Sequence, residues 1–211
     1  MNKIIICFTI VALLSNHLFS QEDDDRTQFQ FGIKAGINFA NVYDEQGDDF
    51  TADGKIGFVG GVFMAIPIVS AIGFQPEVLF SQKGFKATGS LLGNNYGLTR
   101  TTDFIDIPLL LAVKPIEQLT ILAGPQFSYL LKRKDVFENA VNSVEVIDEF
   151  DNDNIRKNIF GVAFGVNLNL DKIVLGARAA WDVSTNNGDG TSQTPQYKNA
   201  WLQATVGFRF L

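Results

Sequence analysis

Histidine and cysteine are nearly absent from this sequence. Each occurs once in 211 residues, as His17 and Cys7, and both lie in the opening segment MNKIIICFTIVALLSNHLFS (1–20). That segment has the form of a secretory signal peptide. Lys3 supplies the basic end, residues 4–14 the apolar centre, and Ser20 a small residue at the expected cut. Beyond the cut neither side chain remains, which excludes disulfides, a thiol nucleophile and an imidazole base. Ser–His and Cys–His hydrolysis go with them, as does the His-dependent chemistry of lipid-modifying barrels and omptin-like proteases. Cys7 sits inside the apolar centre and not at the cut, so no lipoprotein anchor is expected. A long apolar run is missing too: residues 4–14 fall short of the about 20 that a membrane helix needs. Positive charge is not in excess either. Lys and Arg number 17 against 23 Asp and Glu, a net charge of −6, which argues against nucleic acid as a partner.

What the chain does have is phenylalanine, 19 of them, and a period of two. In QFQFGIKAGINFAN, Phe29, Phe31, Ile33, Ala35, Ile37 and Phe39 share one face, opposite Gln30, Gly32, Lys34, Gly36 and Asn38. Such alternation is that of a β-strand with one apolar face. It recurs from Lys55, from Ile72, through the segment at 103–113, from Leu119, from Phe160, from Ile173 and from Leu202, giving eight expected strands. Each reaches the roughly 9–11 residues that cross a bilayer when tilted, whereas strands of soluble sheets are nearer five or six.

The connections alternate in length. Polar segments at 41–54, 88–101, 134–155 and 184–197 are long, while the links at 67–71, 114–118 and 171–172 are short. Long loops at one rim and short turns at the other are the habit of outer-membrane barrels. Residue size then says which face meets lipid. The mixed face is rich in glycine (Gly32, Gly36, Gly61, Gly161, Gly165, Gly207), as a narrow interior requires, and a water-facing sheet would gain nothing from it. The Phe-rich face therefore points outward into lipid, and the small and polar face inward.

Closure is required because unpaired backbone groups cannot face lipid. Eight strands enclose an interior that side chains fill, so a large pore is not expected. Lys34, Arg178 and Arg209 lie on that interior face with Glu77, Asp106 and Asp182. Opposite charges in a buried space must compensate one another, so these residues are the candidate interior polar network. Phe29, Tyr129 and Trp181 near strand ends would form interfacial girdles.

The segment DFIDIPLLLAVKP (103–115) carries the one carboxylate pair close in sequence, Asp103 and Asp106. Three positions apart on a strand they point to opposite faces, so no catalytic role is assigned. Pro108 removes a ladder donor where no free edge exists, which predicts a local bulge or a lost bond. The loop at 135–157 is acidic and offers oxygen ligands for calcium, but it lacks the spacing and glycine of an EF-hand and reads as a solvated loop. Within it SVEVIDEF alternates, extending a hairpin beyond the membrane with an edge open to a protein partner. NNGDGTSQTP (186–195) reads as a loop tip and QEDDD (21–25) as a disordered leader.

Several segments together resemble the PorT-like outer-membrane β-barrel proteins of Bacteroidota. They are FGIKAGINFANV, FQPEVLFSQKGFK, FIDIPLLLAVKP, LAGPQFSYLL and the closing ATVGFRFL. The third is the most specific, since an aromatic and an acidic residue commonly precede IPLLL in that family. The resemblance implies an eight-stranded barrel in the outer membrane. PorT itself is linked to a protein-secretion system, and no functional residue carries over. The terminus departs from the pattern of many barrels: Phe210 is penultimate and Leu211 last.

The expectation is an all-β, eight-stranded, antiparallel, up-and-down transmembrane β-barrel. Its parts are a signal peptide at 1–20, a polar leader at 21–27 and the barrel at 28–211, with no appended periplasmic module. No enzyme activity, metal or cofactor is expected. Outer-membrane lipid is the expected surrounding partner, with envelope proteins reached through the long extracellular loops. A structural or protein-interaction role is the leading reading. Its rivals are an accessory part of a secretion or envelope-assembly complex, a ligand-binding barrel and a narrow channel.

Overall fold

The computed structural model describes residues 25–46, 51–91, 94–139, 143–148, 157–186 and 196–210. The signal segment, most of the leader, the loop tip at 187–195 and Leu211 lie outside them.

The strands are β1 (Gln30–Gln46), β2 (Thr51–Val69), β3 (Ile72–Leu91), β4 (Asn94–Ile116), β5 (Leu119–Asn139), β6 (Ser143–Asp148), β7 (Asn158–Leu170), β8 (Ile173–Asp182) and β9 (Gln196–Arg209). All pairings are antiparallel. The ring runs β1–β2–β3–β4–β5–β7–β8–β9 and closes where β9 pairs β1, while β6, among the described residues, pairs only β5. Eight strands thus form the wall, and a short ninth stands beside β5.

The burial pattern settles which face is inside. Ile33, Ile37, Phe39, Phe58, Phe127, Phe164, Leu202 and Phe208 point outward and are exposed, whereas Lys34, Asn38, Glu77, Asp106 and Arg178 are buried. Apolar outside and polar inside is the reverse of a soluble barrel. The interior leaves little room at some positions. A Cβ on Gly36 would collide with the Ala204 carbonyl oxygen and come 2.8 Å from the Thr205 Cα. Gly84 has a φ of 151°, a conformation that side-chain-bearing residues rarely adopt.

One expectation needs correction. Much of what reads as long loop is strand: β1 runs to Gln46 and β2 starts at Thr51, and β3 and β4 run to Leu91 and from Asn94. Lipid thickness limits how far a strand stays apolar on its outer face, but not how far its ladder continues. Beyond the lipid the extended strands have a core of their own, in which Val42, Phe85, Ala87 and Tyr197 pack with Ala52 and Leu98. At Pro108 the second of the two expected outcomes, a lost bond, is found. The β3–β4 ladder pairs Pro76 with Leu109 and next Leu79 with Asp106, in one register. Pairing lapses between them, and on β5 it lapses beyond Pro108↔Gln126 until Leu111↔Ala123. Bonds are lost without a bulge. The register shift on β5 lies between Asp103 and Phe104, where Leu131 is the extra residue.

Candidate functional site

Among the described residues, the inward face of the ring brings buried charged side chains together in layers along the strands. At the short-turn rim, Arg209 of β9 donates from Nη1 to Gln30 Oε1 at 2.9 Å and from Nη2 to the Asp171 carbonyl oxygen.

The next layer centres on Glu77 of β3. Its Oε1 accepts from Lys34 Nζ of β1 at 2.8 Å, from Gln75 Nε2 at 2.7 Å and from Arg178 Nη2 of β8 at 2.8 Å. Its Oε2 accepts from Arg178 Nη1 at 3.0 Å. The Lys34 ammonium also lies 5.1 Å from the centre of the Phe63 ring. With four hydrogen bonds donated to it, this carboxylate serves as the acceptor at the centre of the layer. Asn38, Ser81 and Gln203 continue the network: Asn38 Nδ2 donates to Ser81 Oγ at 3.0 Å, and Gln203 Nε2 donates to Asn38 Oδ1 at 3.0 Å.

Further out, Lys83 of β3 donates to Asp106 Oδ1 at 3.0 Å and Ser128 Oγ at 3.3 Å. Its ammonium is 3.7 Å from the centre of the Trp201 ring and 4.6 Å from that of Phe104. Asp182 accepts from Asn199 Nδ2 at 2.6 Å. Asp106 Oδ2, Asp182 Oδ1 and Trp201 Nε1 are buried without a hydrogen-bond partner among the described residues. Apolar side chains close the gaps between layers, with Leu110, Leu122, Ala163 and Ala180 packed around Trp201. Toward the long-loop rim, Arg100 grips Asp135 in two bonds, Nε to Oδ1 at 2.8 Å and Nη2 to Oδ2 at 2.7 Å. Its guanidinium lies beside both Phe85 and Tyr197, 5.6 and 5.7 Å from their ring centres.

Of the sequence-derived candidates, the structure brings together Lys34, Glu77 and Arg178. Asp106 is met by Lys83, not by a candidate cation. Arg209 bonds an amide and a backbone carbonyl, and Asp182 is met by Asn199. Lys83, Arg100, Lys114 and Asp135 are buried charged residues that the sequence reading passes over. Lys83 continues the inward parity of Glu77 and Ser81, but lies beyond the point where the apolar alternation of β3 ends. Arg100 and Asp135 fall in segments read as loops. Asp103 faces outward, where its Oδ1 accepts from Gln82 Nε2 at 3.0 Å, away from Asp106. Of the calcium-ligand candidates of the loop at 135–157, Glu149, Asp151 and Asp153 fall outside the described residues.

Geometry of this kind fixes strands and fills space. The same chain matches the family model described as outer membrane protein beta-barrel domain over residues 19–185. Similar solved structures are small barrels of the same kind. Ail, the attachment invasion locus protein of Yersinia pestis, is 12% identical with a TM-score of 0.49, covering 86% of this chain and 99% of its own. Neisserial surface protein A (NspA) is 12% identical with a TM-score of 0.44, covering 85% and 97%. The outer membrane protein OprG of Pseudomonas aeruginosa is 12% identical with a TM-score of 0.42, covering 90% and 99%. No curated protein matches the sequence. With the family model spanning well over half its length, the chain belongs to the outer membrane protein beta-barrel domain family and resides in the outer membrane.

Proposed function

We propose that this barrel is a plugged, non-enzymatic component of the outer membrane that works through its surface, as a structural or protein-interaction element. The observation that carries this reading is the layered lumen. Arg209–Gln30, Lys34–Glu77–Arg178, Lys83–Asp106 and Arg100–Asp135 succeed one another along the strands with apolar side chains between them. A pore needs a continuous wet path, and such paired, buried charges resist being parted because each broken pair strands an uncompensated charge. The ligand-barrel and narrow-channel readings are disfavoured on the same ground.

Interaction is supported by the strands that stand beyond the lipid. β6 pairs β5 alone, so its other edge is open among the described residues. An open edge is either a liability or a docking rail for an extended partner segment. The FIDIPLLL segment favours a second reading, membership of a PorT-like group and an accessory place in a secretion or envelope-assembly complex.

Two measurements test the proposal. Planar-bilayer recording of the refolded protein is expected to show no steady conductance, and a large stable one would overturn the plugged lumen. Crosslinking in native membranes from photoreactive residues at 143–148 is expected to trap a defined envelope protein. Recovery of the barrel alone would argue for a solitary structural role.

A further inference from the structure

Outward-facing charge is unevenly shared between the two rims. At the long-loop rim the last apolar residues exposed to lipid include Ile56, Ile107, Tyr129 and Trp181. Just beyond this line come Lys55 on β2, Lys86 on β3, Lys132 and Lys134 on β5 and Lys198 on β9, none of them buried. The registers set them side by side around one flank. Lys86 stands opposite Asp53 and Thr99, Lys132 opposite Asp103, and Lys134 opposite Thr101. Lys55 lies within electrostatic reach of both Asp103 and Lys86. Lys198 faces Tyr43, its ammonium 5.7 Å from the ring centre, in the way a lysine rests its stem on an interfacial aromatic and sends its charge toward the headgroups. Among the described side chains, Asp53 and Asp103 offset part of this charge but not most of it. Among the described residues the short-turn rim has no such collar: its outward residues include Ile68, Ile116 and Phe210, and its turn charges Glu117, Asp171 and Lys172 differ in sign.

We propose that this lysine collar is a binding surface for the phosphate groups of lipids in the outer leaflet. Position, chemistry and sign all point the same way. The lysines begin where apolar exposure ends, which is the headgroup level, and an ammonium on a flexible stem binds phosphate as a point charge without needing a shaped pocket. The chain as a whole carries −6, so a preference for anionic lipid cannot come from its net charge and must come from a local concentration of cations. The collar does not require these lysines to be free of contacts within the protein. It requires only their summed charge at the membrane surface, and it stands whether or not the barrel has a protein partner.

The test uses the full mature chain refolded into phosphatidylcholine vesicles that contain a minor fraction of lipid A, either phosphorylated or enzymatically dephosphorylated. The readout is the amount of each lipid retained when the protein is extracted in mild detergent. Wild type is expected to retain the phosphorylated lipid preferentially, and the preference should fall as salt screens it. Combining Lys86→Gln, Lys132→Gln, Lys134→Gln and Lys198→Gln should reduce that preference about tenfold or more. The four matching Arg substitutions should keep it, and Lys172→Gln at the other rim should leave it unchanged. If the Gln variant fails to refold, the Arg and wild-type salt series decide alone. Equal retention of the two lipids by wild type, or an unchanged preference in the refolded Gln variant, would overturn the proposal.

Discussion

Arg178 reaches across the lumen to Glu77. The two sit on β8 and β3, strands separated in the ring by β2, β1 and β9, and they meet through two hydrogen bonds of 2.8 and 3.0 Å. With Lys34 on β1 as the second donor, one carboxylate ties three strands that do not all adjoin. Ladder bonds join only neighbours, so this contact constrains the cross-section of the barrel in a way the sheet cannot.

Removing the acceptor therefore strands two buried cations. Glu77→Gln is expected to cost about 3–5 kcal/mol, read as a lower urea midpoint for the heat-modifiable form in vesicles. Adding Lys34→Met to it should recover part of the loss. An unchanged midpoint would mean that the triad is wet and loosely held.

Lys83 and Asp106 should behave as a unit. In a cycle built from Lys83→Met and Asp106→Asn, the double variant is expected to be less destabilised than the sum of the singles, with a coupling of about 0.5–3 kcal/mol. Additive effects would show that the 3.0 Å contact contributes nothing.

How far such contacts can be read from sequence depends on what writes them there. The alternation of Phe29 to Phe39, or of Ile105 to Val113, is imposed by lipid on one side and a narrow interior on the other, so strand identity and facing are legible. Which interior charges meet depends on stagger across the ring, which no single strand records. Hence Lys34, Glu77 and Arg178 are recognisable as interior residues, but the partners of Asp106 and Asp182 are not. Lys83, Arg100 and Asp135 stay hidden for another reason. They lie where the outer face has turned polar, and once both faces are polar the apolar signal for a strand is gone although its ladder persists. The lapse at Pro108 was foreseeable from its missing N–H. Its unchanged register was not, because register is held by the pairs on either side.

Glycine tests the tightness of the wall. Gly36→Val should abolish the heat-modifiable band, since its Cβ would meet backbone on the neighbouring strand. Gly60→Ala should be tolerated, because its nearest neighbour is the tip of the Phe58 ring, which can turn away into lipid. The two variants failing alike would contradict the assigned facing.

The Arg100–Asp135 clamp lies beyond the lipid and should control the extension alone. Arg100→Lys loses the two-pronged geometry, and Lys is no substitute at such a site. Limited proteolysis is expected to cut faster within 94–103 and 132–139, with the core fragment still heat-modifiable. Faster loss of the whole barrel would mean that the extension and the membrane part unfold together.

The two tryptophans offer the most direct measurement of the central claim, a barrel turned apolar side out around a filled lumen. Trp181 is 41% exposed on the outer face and Trp201 is 3% exposed inside, against Lys83. Single-tryptophan variants, Trp201→Phe and Trp181→Phe, can be refolded into vesicles whose acyl chains carry bromine. Emission from Trp181 should be strongly quenched, and emission from Trp201 should be nearly unaffected by brominated lipid or by aqueous acrylamide. Quenching of Trp201 by lipid together with protection of Trp181 would contradict the account, because it would place the apolar face inside.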